Sequence, residues 1–150
     1  MKKFASAEIK GGTLYPDIKG VVYFYKTLGG VMVTVKMSGL PVFSRENDKV
    51  IGPHGFHIHT GSNCDVGTNL DPFLNSGAHY NPNNQPHGNH AGDFPVIFSN
   101  NGYATMSFFT NKFTIDEIIG KVVILHESPD DYRLEPSGNS GKKIACGVIN

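Results

Sequence analysis

Seven histidines are spread unevenly over 150 residues: none precedes position 54, and six of the seven fall between His54 and His90. His57 and His59 stand two apart in Gly55-Phe56-His57-Ile58-His59. Side chains of an extended strand alternate faces, so both imidazoles point one way while Phe56 and Ile58 point to a core. Two buried neutral imidazoles on one face are costly unless each nitrogen finds a partner. A metal ion uses both. A second group follows in His79, His87, His90 and Asp93, three nitrogens and one carboxylate, which is a complete tetrahedral zinc set. His126 ends the apolar run Val122-Val123-Ile124-Leu125, a strand able to return beside His57 and His59. Imidazole suits copper and zinc, and carboxylate oxygen also suits zinc. The donors exceed the needs of one tetrahedral ion, and two adjacent ions are the economical reading.

The elements that must position these donors read as strands. Phe4–Ile9, Val21–Tyr25, Val31–Met37, the GFHIH stretch, Phe94–Phe98, Tyr103–Phe109, Lys121–Leu125 and Ile144–Ile149 are short apolar or alternating runs separated by turn formers. Ser99-Asn100-Asn101-Gly102 predicts a hairpin between Phe94–Phe98 and Tyr103–Phe109. Thr114–Ile119 has room for one helical turn, and no long helical period exists. The pattern predicts one all-β domain over 1–150, a sandwich or flattened barrel. Two segments resist a strand reading, 61–92 and 127–143. Loops this long in a compact domain are usually functional or disordered; histidines crowd the first, and the second begins directly after His126.

The bulk composition excludes several classes. Thirteen basic and thirteen acidic residues give a formal net charge of zero, which argues against a nucleic-acid binder driven by bulk charge but leaves room for a local patch that attracts a small anion. No apolar run reaches the length of a membrane span. Met1-Lys2-Lys3 has the charge of a signal-peptide start, yet the apolar segment after it is too short. Either the protein stays in the cytoplasm, or this is a mature chain of the periplasm or cell exterior. Cys64 and Cys146 suit one long-range disulfide or two free thiols. There is no zinc-finger cysteine set, no His-Glu-x-x-His helix and no nucleophile elbow; Gly29-Gly30 is only a turn.

Taken together, His54-Gly55-Phe56-His57-Ile58-His59, Gly77-Ala78-His79-Tyr80-Asn81-Pro82, His87-Gly88, His90-Ala91-Gly92-Asp93-Phe94-Pro95, His126-Glu127-Ser128-Pro129-Asp130-Asp131 and Gly138 through Ile149 resemble the copper–zinc superoxide dismutase family, in the family's order and over most of the chain. The resemblance implies an eight-stranded Greek-key β-barrel. It implies copper at His57, His59, His79 and His126, and zinc at His79, His87, His90 and Asp93, with His79 bridging the two ions. Asp130 matches the carboxylate that links a copper histidine to a zinc histidine, here His57 and His87. Cys64 and Cys146 match the intrasubunit disulfide. The implied activity is disproportionation of superoxide to dioxygen and hydrogen peroxide by copper redox cycling, with zinc ordering the site and His79 serving as ligand and proton donor. The resemblance admits a homodimer and a copper-delivery partner without fixing either.

This chain departs from the family in three places. Only Gly88 and Asn89 separate His87 from His90, where relatives usually have a longer segment. Lys143 stands where the family usually has an active-site arginine, so a compact point charge replaces a planar fork. The segment from His126 to Lys143 is shorter than in many relatives, which leaves Glu127, Arg133 and Glu135 without assigned roles, and Lys142 is a neighbour that could compensate for Lys143. Several residues have plainer expectations. His54 is a core histidine bonding to loop backbone, Tyr80 packs the loop, and Asp131 bonds to local N–H groups. The rival function is a non-enzymatic copper- or zinc-binding protein such as a copper carrier; full metal occupancy without turnover is what distinguishes it. A purely structural β-sandwich leaves the histidines unexplained.

Overall fold

Antiparallel strands account for nearly all the regular structure of the computed structural model, which describes residues 1–150. In chain order they are β1 (Phe4–Gly11), β2 (Lys19–Thr27), β3 (Gly30–Ser38), β4 (Ser44–Glu46), β5 (Lys49–Ile51), β6 (Phe56–His59), β7 (Ala104–Thr110), β8 (Val122–His126) and β9 (Lys143–Val148). Seven form one curled sheet in the order β6-β8-β9-β1-β2-β3-β7, and β4 and β5 make a separate small hairpin. The chain leaves β3, crosses to the far end of the sheet at β6, then returns to pair β7 with β3. That crossing is the long connection of a Greek key.

Alternation decides which side chains enter the barrel. Ala5, Ala7 and Ile9 of β1, Val22 and Phe24 of β2, and Val31, Val33, Val35 and Met37 of β3 are all buried in one core. Phe56 and Ile58 join it from β6, and Val123 and Leu125 from β8. The opposite faces of β6 and β8 are also covered. Val122 and Ile124 pack with Phe73 and Cys146 in a second, smaller cluster, which is why β8 reads as an unbroken apolar run. The loop carrying Phe73 lies over this outer face, and the Cys64–Cys146 disulfide staples it to β9.

The all-β expectation agrees with the structure, and two details differ: the β4–β5 hairpin lies outside the expected strands, and the expected 94–109 hairpin does not form. Phe94–Phe98 does not pair with β7 as a hairpin; only Asn100 and Tyr103 bridge there. Instead the segment runs along the edge of β6, with bridges His57–Asp93 and His54–Ile97. Pro95 lacks the N–H that a continuous ladder needs. The 78–80 segment meets the same edge: Tyr80 N–H donates to Ile58 O at 2.8 Å, and Thr60 N–H to Ala78 O at 2.9 Å. Strand β6 therefore ends the sheet without exposing a free edge. The helical turn forms as α1 (Ile115–Ile118), started by a capping box between Thr114 and Glu117.

Candidate metal centre

The face of β6 and β8 turned away from the main core carries the histidines. His57 lies opposite Ile124, and His59 opposite Val122. His126 follows at the end of β8, where a register shift between Leu125 and His126 sets its pairing with Lys143. Such a bulge re-aims the side chain that follows it. His79 arrives from the long loop and bridges to His59. Ligand atoms of His57, His59, His79 and His126 all lie within 4.8 Å of one another, and so do those of His79, His87, His90 and Asp93. His79 belongs to both groups, and all six histidines are buried.

Hydrogen bonds settle which ring nitrogen is free. His57 Nε2–H donates to Asp130 Oδ2 at 2.6 Å, and His87 Nε2–H donates to Asp130 Oδ1 at 2.8 Å. His59 Nδ1–H donates to Gly77 O at 2.8 Å, and His126 Nδ1–H to Gly141 O at 3.2 Å. Each bond places the hydrogen on the nitrogen turned outward from the cluster and leaves the inner one bare. His59 Nε2 and His126 Nε2 then approach to 3.3 Å. His79 Nδ1 lies 3.1 Å from Asp93 Oδ1 and 3.3 Å from His90 Nδ1, which leaves Nε2 for the other group. His57 Nδ1, His79 Nε2 and His87 Nδ1 are buried with no hydrogen-bond partner. Orphaned buried nitrogens are rare and costly, and three aimed into two four-donor clusters fit metal ions.

Electrostatics favours the ligating forms. Burial, then the neighbouring His126 and His79, hold His57 well below the ordinary histidine value; burial and the same two-histidine crowding do this to His59. Burial pushes His126 down to about 3 and also lowers His90. These rings are neutral near pH 7, the state a metal needs. For Asp93, burial acts to raise the carboxyl, but hydrogen bonding with His79 and the adjacent His87 and His90 outweigh it and lower the value.

The four-residue link His87–His90 turns tightly. Gly88 has φ 90°, in the left-handed region, and presses against Tyr132 O. Asp93 Oδ2 accepts from Gly88 N–H at 2.8 Å and from His90 N–H at 2.9 Å, which turns Oδ1 toward His79 and His90. Lys143 reaches the other end of the centre. Its Nζ donates to Ser76 Oγ at 2.8 Å and to Phe73 O and Gly77 O at 3.4 Å each, so it shares Gly77 O with His59. Burial lowers the Lys143 pKa. Lys142 is turned away, donating to Asn69 O at 2.8 Å, so it does not stand in for Lys143.

His54 sits in the core with Nδ1–H between His126 O at 2.8 Å and Glu127 O at 3.1 Å. Asp131 Oδ1 accepts from the N–H groups of Arg133 and Leu134. Glu127 is buried between Tyr15 OH at 3.1 Å and Lys49 Nζ at 3.3 Å. Four participants have no role assigned from the sequence: Tyr132, whose N–H binds Asp130 Oδ1 and whose OH donates to Phe94 O; Ser76 under Lys143; and the carbonyls of Gly77 and Gly141. Only the identity of Tyr132, beside two aspartates, offered any signal.

The fold and this centre define an all-β protein with two adjacent four-donor groups, each able to hold a metal ion, that share one imidazole. The sequence model of the copper/zinc superoxide dismutase family matches residues 18–149. A copper–zinc superoxide dismutase of Deinococcus radiodurans is 31% identical over 149 residues, covering 88% of this chain and 77% of that protein. One of Legionella pneumophila is 33% identical, covering 89% and 79%, and one of Xenopus laevis, form A, is 34% identical, covering 89% of each. The chain belongs to the copper/zinc superoxide dismutase family.

Proposed function

We propose that this protein disproportionates superoxide, turning two superoxide anions and two protons into dioxygen and hydrogen peroxide. His57, His59, His79 and His126 would hold copper, and His79, His87, His90 and Asp93 would hold zinc, all within one domain spanning 1–150. Copper supplies electron transfer by alternating between two oxidation states, and zinc supplies order and polarisation without changing its own. The chain's residues do the rest. Gly77 O and Gly141 O fix the His59 and His126 tautomers, and Asp130 fixes those of His57 and His87. His79 Nε2, buried and unpartnered, is the atom positioned to hold and deliver a proton. Lys143 Nζ, cationic and anchored on Ser76, draws the anion toward the His59 side of the centre.

The observation that carries this reading is His79, one ring contributing to both four-donor groups. Protein loaded with copper and zinc is expected to remove superoxide in a rapid first-order decay per copper, far faster than free copper or heat-denatured protein. Slow decay at verified full occupancy of both sites would instead favour the copper-carrier reading. A homodimer and a copper-delivery partner belong to the same proposal; native mass and copper uptake from a donor test them.

A further inference from the structure

The shortened link between His87 and His90 leaves few residues to hold two ligands in place, and its backbone donors are fully used. Gly88 N–H and His90 N–H go to Asp93, and Asn89 N–H goes to Pro86 O at 3.0 Å. The remaining one, His87 N–H, donates to Glu135 Oε1 at 2.6 Å. Glu135 belongs to the other long loop, 48 residues away in sequence. That loop meets the link at two more points: Asp130 on His87 Nε2, and Tyr132 O against Gly88. His87 is therefore gripped at both ends by the 127–143 loop, by Asp130 at the ring and by Glu135 at the backbone. On the far side, Lys112 Nζ donates to Asn89 Oδ1 at 2.8 Å.

We propose that Glu135 is a positioning residue for zinc, fixing the backbone of His87 so that Nδ1 faces His79, His90 and Asp93. It makes up for the tight link, which has no spare length to hold that geometry by itself. Glu135 acts only through His87 and touches no reacting atom. A charge-assisted bond to a backbone N–H is roughly twice as strong as a neutral one, and loss of a partner that orients a metal ligand typically weakens metal binding about 10–100-fold. The proposal rests on the zinc assignment made above.

The test is competition for Zn²⁺ between the metal-free, disulfide-intact protein and a chromophoric chelator, for the wild type, Glu135→Ala and Glu135→Gln. Urea unfolding of each metal-free protein is measured alongside. Wild type is expected to bind its first Zn²⁺ tightly, and that first equivalent is the one compared, since the four-histidine group also offers imidazole to zinc. Glu135→Ala should bind about tenfold more weakly with an unchanged urea midpoint. Glu135→Gln, which keeps an acceptor oxygen, should recover most of that loss. Equal affinity of Glu135→Ala and wild type would overturn the proposal while leaving the zinc site standing. So would a Glu135→Gln as weak as Glu135→Ala, since the effect would then be charge alone, or a matching fall in metal-free stability. Weak Zn²⁺ binding by the wild type would remove the zinc assignment and this proposal with it.

Discussion

Replacing Asp130 by alanine is expected to damage both metal sites at once. The carboxylate is fully buried, with 0% side-chain exposure. It accepts from His57 Nε2–H, His87 Nε2–H and Tyr132 N–H at 2.6, 2.8 and 2.7 Å. Each donor left unpaired in such a place costs about 1–3 kcal/mol. Gly138 packs directly on Asp130 and His87 Nε2, so the chain closes over the hole and a water can rescue only part of the loss. A net destabilisation of about 3–5 kcal/mol for the metal-free protein follows from three donors with partial rescue. The second effect is on tautomers. Without Asp130 neither ring has a reason to carry its hydrogen on Nε2, and a hydrogen on Nδ1 points at the metal. Affinity should fall about 10–100-fold at each site. Asp130→Asn keeps one acceptor oxygen and should weaken one site more than the other, with a smaller loss of stability. The assays are urea unfolding of metal-free protein with its disulfide intact, and separate copper and zinc titrations. An alanine variant that unfolds within about 1 kcal/mol of wild type and holds both metals normally would refute this reasoning.

Three more outcomes follow from the same geometry. His126 is lowered to about 3 in the fold against about 6.5 unfolded, so its contribution is complete above pH 6.5 and lost as pH falls toward 3; metal-free protein should lose on the order of 3 kcal/mol from this residue between pH 7 and about pH 4. Urea unfolding at stepped pH checks it, and His126→Gln should flatten the slope. Reducing Cys64–Cys146, whose sequence separation is 82, should lower stability by about 4–5 kcal/mol on the chain-entropy account; a change under about 1 kcal/mol would contradict it. Lys143→Ala should slow superoxide removal about tenfold at low salt and flatten its salt dependence, while Lys143→Arg should match or exceed wild type; fast kinetics at stepped ionic strength reads both.

Residue type and spacing carried the centre a long way in the sequence. Parity placed His57 and His59 on one face and Phe56 and Ile58 on the other, because a strand leaves no third option. The clustering of His79, His87, His90 and Asp93 stood out because few other uses explain so many donors in one loop. What stayed hidden was backbone. Gly77 O and Gly141 O orient two histidines, yet any residue could supply a carbonyl at those positions. Glu135 was visible as a charge without a partner, since only the folded loops bring it to His87. The 94–98 segment failed as a hairpin because alternation says which face a residue takes but not which edge it joins. The pair β4–β5 is not legible in the sequence because Ser44–Glu46 is exposed and carries no apolar pattern.

The two groups of donors are supported differently, and this predicts how they depend on the rest of the chain. Three donors of the proposed copper group stand on strands: His57 and His59 on β6, His126 at the end of β8. Their backbones are held by the sheet ladder, and the main core locks the alternate residues Phe56, Ile58, Val123 and Leu125 beneath them. All four donors of the proposed zinc group come from the 79–93 stretch of one long loop, which holds no helix or strand. Their geometry is borrowed from contacts outside the loop: the edge of β6, Asp130, Glu135 and Lys112. The shared His79 then transmits order in the loop to the copper group, and Asp130 transmits it again through His57. A perturbation of the loop should therefore reach zinc first and copper second, while a perturbation of the barrel core should reach both together.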